Sequence, residues 1–151
     1  MSSSSNKILV PIGFSEQSVI AFDQACSFAK LDNAKVFLLS VVEERSTMQN
    51  LFLDDNSHEL KKKVHKKLSE IALEYSKKYK IEIEIMVAQG KIYNQINEVS
   101  EMIAADLIIM GTTGSPKDRI KRFIGSNAER VVRLAKCPVI TIKGATIKGE
   151  C

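Results

Sequence analysis

The residues best suited to chemistry lie between Leu107 and Asn127. Leu107-Ile108-Ile109-Met110 is a continuous apolar run, the pattern of a strand buried on both faces. It breaks at Gly111, and Gly114 follows, a pair that predicts a turn with positive φ or close backbone approach. Lys117, Arg119, Lys121 and Arg122 then make a basic loop. Gly125-Ser126-Asn127 opens a segment with helical spacing, marked by Ala128, Val131, Val132 and Ala135. Strand, glycine turn, cationic loop and helix start follow one another in the order of an anion cradle. The free N–H groups and dipole of a helix N-terminus favour negative charge, and glycine lets the backbone approach oxygen atoms. Ser126 adds a hydroxyl donor. The ligand chemistry is that of a phosphate.

Other chemistry is thinner. The chain has neither a Gly-x-x-x-x-Gly-Lys-Ser/Thr loop nor a Gly-x-Gly-x-x-Gly fingerprint, so neither a P-loop NTPase nor a standard dinucleotide dehydrogenase is supported. It has no Gly-x-Ser-x-Gly elbow and no paired histidine and nucleophile, so no residue is assigned a catalytic role. His58 and His65 are the only histidines; they sit seven apart on a lysine-rich stretch and read as a solvated helix face, with no metal site expected. Lys61, Lys62, Lys63, Lys66 and Lys67 lack interleaved aromatics, which argues against nucleic acid. Cys26, Cys137 and Cys151 are odd in number and have no CxxC spacing; the first two are expected as buried thiols, with no disulfide. Asp106, just before the apolar run, reads as structural.

The elements that must position these residues follow from periodicity. Lys7 to Pro11 is a short strand, and Ile12-Gly13-Phe14-Ser15 is its turn, with Ser15 as a helix cap. Val19, Phe22, Ala25 or Cys26, and Ala29 recur at helical spacing until Leu31-Asp32-Asn33. Val36 to Val42 is a second strand, ended by Glu43 and Glu44, and residues 45–56 read as a loop. Ser57 caps a long helix with the stripe Leu60, Val64, Leu68, Ile71, Tyr75 and Tyr79. Ile81 to Val87 alternates apolar and acidic residues, as an edge strand does, and Glu82 and Glu84 would discourage edge pairing. Gly90 turns the chain into a helix marked by Ile92, Ile96, Val99 and Ile103. Pro138 to Ile142 is the last strand.

The β-α-β-α-β-α-β-α-β order predicts an α/β fold: an open five-stranded parallel sheet with helices on both faces, doubly wound and Rossmann-like. Such a sheet reverses its winding once, and ligands bind in the crevice at that point. If the first and fourth strands flank the reversal, the turns after Pro11 and Met110 face each other.

At 151 residues, 44% hydrophobic and 26% charged, the chain reads as one globular domain over 1–151, with 1–6 and 144–151 flexible. Its net charge of +4 suits an acidic ligand without requiring nucleic acid. No apolar run approaches the roughly 20 residues of a membrane span. The polar start lacks the pattern of a signal peptide, so a cytoplasmic protein is expected.

Ile8-Leu9-Val10-Pro11 with Phe14-Ser15-Glu16, the Leu107–Gly114 segment, Gly125-Ser126, and Cys137-Pro138-Val139-Ile140 together resemble the universal stress proteins over nearly the whole chain. The resemblance implies a small stress-response module that binds ATP, with Mg or Mn accompanying the nucleotide, and signals as a homodimer paired through its C-terminal strand. Carried over by position, it implies a site of Pro11, Ile12, Gly13, Val41, Met110, Gly111, Gly114, Gly125, Ser126 and Asn127. Ile12 and Val41 would border the adenine, Gly111 the ribose, and Gly114, Gly125, Ser126 and Asn127 the phosphates. Two departures stand out. The spacer Ser115 to Ile124 is ten residues, one longer than the ATP-binding pattern. Gly13 stands where ATP-binding relatives commonly carry aspartate. Both favour an alternative, a dimeric interaction protein of the same fold without nucleotide binding.

Overall fold

The structure is a computed structural model that describes residues 6–13, 16–43, 57–112 and 125–143. Outside these fall the expected cap Ser15, the 45–56 loop, Gly114, the basic residues Lys117 to Arg122, and the 144–151 tail. The elements run β1 (Lys7–Pro11), α1 (Glu16–Asp32), β2 (Lys35–Glu43), α2 (Ser57–Tyr79), β3 (Ile83–Gly90), α3 (Ile92–Met102), β4 (Leu107–Gly111), α4 (Ser126–Leu134) and β5 (Val139–Ile142).

The five strands form one sheet in the order β3-β2-β1-β4-β5, with parallel pairing throughout. The chain winds outward from β1 to β3, returns through α3 to β4, and winds outward again. The reversal lies between β1 and β4, as the crevice argument requires.

Alternating side chains split the core in two. Ile8, Val10, Val36 and Leu38 face Phe22, Ala25, Cys26 and Ala29 of α1 and Leu68 and Ala72 of α2. Leu9, Phe37, Leu39, Ile108 and Met110 face Ile96 and Val99 of α3 and Ala128 and Val131 of α4. The helices thus cover both faces in pairs. Val132, expected in the α4 stripe, is instead 47% exposed. It follows directly on the fully buried Val131, and one step of about 100° carries it off the buried face.

Cys26 is fully buried, and burial, reinforced by Asp23, pushes its thiol up to about 12. That makes it an inert thiol at neutral pH. Cys137, expected to be buried, is only partly so, because it lies on the turn between α4 and β5.

Three helices stop in the same way. Asn33, Lys80 and Ala104 adopt φ of 52°, 55° and 55°. An N–H just past each helix returns to a carbonyl five residues back: Ala34 to Ala29, Ile81 to Ser76 and Ala105 to Ser100. This is the Schellman closure, made without glycine. Periodicity alone marks where such a helix ends but not this geometry.

The amino ends of β1 and β4 are clamped. The Lys7 N–H donates to Asp106 Oδ2 at 2.8 Å, the Asp106 N–H donates to the Lys7 carbonyl at 2.9 Å, and Lys7 Nζ reaches the Ile103 carbonyl at 3.0 Å. Asp106 is therefore structural, as its position suggested. β1 and β4 pair at Ile8↔Leu107 and Leu9↔Ile108, whereas β1 stays in register with β2 as far as Pro11↔Leu39. The carboxyl ends of β1 and β4 can part, and the cleft opens there.

β3 is the sheet edge, as its alternation indicated. Its acids also have a cation: Lys35 Nζ lies 3.2 Å from Glu82 and 2.9 Å from Glu84. Hydrogen bonds to these carboxylates raise the Lys35 pKa above its ordinary value.

Candidate functional site

The cleft is built by strand ends and two helix starts. β1 finishes in Pro11, which has no N–H to continue the ladder. Ile12 still donates its N–H to the Leu39 carbonyl at 2.8 Å, so Gly13 emerges beside β2. On β2, Leu39, Val41 and Glu43 share one side of the pleat. On β4, Met110 and Gly111 end the strand, and Thr112 donates its N–H to the Ile142 carbonyl of β5 at 3.1 Å.

Gly90 sets the wall on the α3 side. It has φ of 143°, and a Cβ there would meet Gln95 Nε2 at 3.0 Å. Only glycine fits this backbone comfortably, and the turn aims α3 so that Ile92 and Ile96 reach the cleft. Arg130 of α4 lies 4.8 Å from the centre of the Tyr93 ring of α3, a cation–π contact that ties the two helix starts together.

The start of α4 is the polar end. The Gly125 N–H donates to the Thr112 carbonyl at 2.7 Å, so the end of β4 and the helix start meet directly. Gly125 is the N-cap, with φ −61° and ψ 157°, and no side chain caps the helix. Among the described residues the first-turn N–H groups of Ser126, Asn127 and Ala128 have no hydrogen-bond acceptor. Their partial positive charge faces the same opening as the strand ends.

These parts enclose a cleft of about 360 Å³, within the size range of small-molecule sites. Nine of the ten residues expected from sequence line it: Pro11, Ile12, Gly13, Val41, Met110, Gly111, Gly125, Ser126 and Asn127. The tenth, Gly114, and the basic Lys117, Arg119, Lys121 and Arg122 lie outside the described residues. Ser18, Leu39, Glu43, Ile92, Ile96, Thr112 and Ala128 line it too and were not anticipated. Leu39 and Glu43 were recoverable, since each stands two residues from Val41 on a strand of period two. Ile92 and Ile96 showed only the stripe of a core helix.

Of the two roles expected of Gly111, positive φ or close backbone approach, the structure leaves the second. Among the described glycines only Gly90 has positive φ. Gly111 continues a strand and Gly125 is extended, so closeness of backbone is their contribution. Gly13 is likewise free of positive φ, and a Cβ there would meet only Ser18 Oγ at 3.7 Å.

Chemically, the cleft has an apolar middle of Leu39, Val41, Ile92, Ile96, Met110 and Ala128 and a donor-rich end at α4. Among the described residues no three His, Cys, Asp or Glu side chains gather as a metal site, and Glu43 is the one ionisable side chain lining the cleft. A protein-held cation therefore has no cage among these residues.

Comparisons with known proteins agree with this construction. The model of the universal stress protein family matches residues 5–143. Universal stress protein MJ0531 of Methanocaldococcus jannaschii is 34% identical over 142 residues, spanning 91% of this chain and 81% of its own. Universal stress protein UspA from Lactobacillus plantarum has the same fold, with a TM-score of 0.80 over 93% of this chain and 99% of its own at 21% identity. A universal stress protein solved in complex with cAMP matches at TM-score 0.68 and 21% identity, over 95% of this chain and all of its own, at 100%. The doubly wound sheet, the strand-end cleft and a family match over most of the chain lead to one conclusion: the chain belongs to the universal stress protein family.

Proposed function

We propose that this chain binds an adenine nucleotide, ATP foremost, in the cleft between β1 and β4, and acts as a cytoplasmic sensing or signalling module. The observation that carries the reading is the meeting of a helix start with no cap among the described residues and an apolar slot of mononucleotide size. The slot takes a planar base and the first-turn N–H groups take phosphate oxygens. The cAMP bound by a relative of the same fold is in keeping with this ligand class. Any Mg or Mn ion would be carried by the nucleotide phosphates, since the described lining supplies a single carboxylate. The described lining offers no histidine, lysine or cysteine as a base or nucleophile, so the reading is of binding, with hydrolysis at most incidental. Calorimetric titration with ATP, together with chromatography of nucleotide released from denatured purified protein, tests it; a flat titration and an empty extract would overturn it.

Gly13 supports a second reading, an interaction protein that has lost the ligand. Position 13 lines the cleft without a carboxylate to accept bonds from ribose hydroxyls. Neither backbone strain nor crowding explains glycine there. One hydrogen bond contributes about 0.5–1.5 kcal/mol net, and about 1.4 kcal/mol is tenfold in affinity. Gly13→Asp is therefore expected to tighten ATP binding by up to about tenfold, with an unchanged unfolding midpoint. Absence of binding in both proteins would favour the interaction reading.

The assembly proposed is a homodimer through β5. This strand is the other sheet edge, and Ile140 on it is 37% exposed. Val132 and Leu134 of the preceding helix are exposed as well, at 47% and 55%. An apolar edge invites a strand from a second copy, and a two-fold pair closes it. Sedimentation at micromolar concentration is expected to show twice the 16.8 kDa chain mass; a monomer alone would refute the dimer.

A further inference from the structure

Among the described residues Glu43 is the one charged side chain on a cleft whose other end attracts anions. It closes β2 at the register Glu43↔Gly90, on the same side of the pleat as Leu39 and Val41. β2 is separated from β4 by β1, and strands in a sheet lie about 4.8 Å apart. Two strand spacings, about 10 Å, thus separate β2 from β4 sideways, and Glu43 lies four residues further along β2 than Leu39, the partner of Pro11, so the apolar residues stand between it and the start of α4. The cleft is electrically polar along its length: negative at β2, positive at the start of α4.

We infer that Glu43 sets the base preference of the nucleotide. This rests on the nucleotide-binding reading above. A phosphate placed near β2 would meet a like charge, whereas at α4 it meets N–H groups that have no acceptor among the described residues. The base is thereby turned toward Glu43. An ionised carboxylate only accepts hydrogen bonds. Adenine presents a 6-amino donor to it, whereas hypoxanthine presents a 6-oxo acceptor. The first pair attracts and the second repels, so the site selects 6-amino over 6-oxo purines.

ATP and ITP test this directly, because they share sugar and phosphates and differ at the base. Hydrogen bonds to charged groups contribute enough for about tenfold or more in affinity. The protein is expected to bind ATP at least about tenfold more tightly than ITP in calorimetry. Glu43→Gln removes the charge and adds an amide donor, and should bring the ATP-to-ITP ratio close to one. Loss of charge alone strengthens both nucleotides alike and leaves the ratio unchanged, so the ratio isolates base reading. Glu43 is exposed, so the variant is expected to keep the parental unfolding midpoint. Equal binding of ATP and ITP by the parent, or an unchanged ratio in Glu43→Gln, overturns the role of Glu43 and leaves the nucleotide reading standing. Failure of the parent to bind either one overturns both.

Discussion

Phe22→Ala is expected to destabilise the fold by about 3–5 kcal/mol, the range for deleting a fully buried aromatic side chain. Phe22 is 0% exposed, and its ring centre lies 4.7 Å from that of Tyr75 on α2. Tyr75 stacks on Tyr79, whose hydroxyl donates to Asp23 Oδ1 at 2.6 Å, returning the chain of contacts to α1. Burial, with Asp23 nearby, raises the Tyr75 pKa, as expected for a phenol held in this layer. Removing the Phe22 ring leaves a void between α1, α2 and the sheet that neither helix can fill without moving. Domains of this size are stable by about 5–15 kcal/mol, so the loss takes a large share of the total. Urea denaturation measures it. The folded fraction should keep its ATP affinity, because α1 touches the cleft only through Ser18 among the described residues. A loss below about 1 kcal/mol would mean that α1 and α2 do not depend on this contact.

The second large effect is at the start of α4. Ser126→Asp should weaken ATP binding by one to two orders of magnitude while leaving stability equal or higher. A carboxylate in the first turn interacts favourably with the helix dipole, by about 0.3–1 kcal/mol at an exposed position such as this one. The same charge repels a phosphate. At 4 Å and an effective dielectric of 20, two unit charges interact by about 4 kcal/mol. Exposure and salt reduce that, which leaves the stated range. The opposite signs separate a ligand site from a structural helix cap. Calorimetry and thermal melts on one preparation read both. Weaker binding accompanied by equal loss of stability would mean that the substitution had simply damaged the helix.

The fold was legible because its elements carry different periods. β1 and β4 are short continuous apolar runs, α1 and α3 show helical stripes, and β3 alternates, the pattern of the edge strand it is. That the sheet reverses its winding once was legible, whereas the place of the reversal, between the first and fourth strands, was only a condition of the crevice argument and comes from the structure. The turns after β1 and β4 were legible too, since Pro11 and Gly111 mark them, whereas the set of cleft residues, Val41 among them, came from the family resemblance. What escaped was lateral placement. Ile92 and Ile96 serve the α3 core stripe and the cleft wall with the same side chains, so no pattern distinguishes the two uses. Glu43 looked like a strand terminator because a single acid at a strand end has no periodicity to betray its neighbours. Of the two uses open to Gly111, positive φ and close approach, the strand-end backbone excludes the first, which spacing alone could not decide. The helix ends at Lys80 and Ala104 were under-read, because left-handed closure is expected at glycine or asparagine.

The central claim is that the start of α4 and the ends of β1, β2 and β4 form one nucleotide site. The most direct test is an amide-resolved NMR titration of the ¹⁵N-labelled protein with ATP. The largest shifts should fall on the N–H groups of Ser126, Asn127 and Ala128, with a second set at Gly13, Val41 and Gly111, all saturating with one affinity. Absence of saturable shifts there, or shifts confined to the lysine face of α2, would contradict the account.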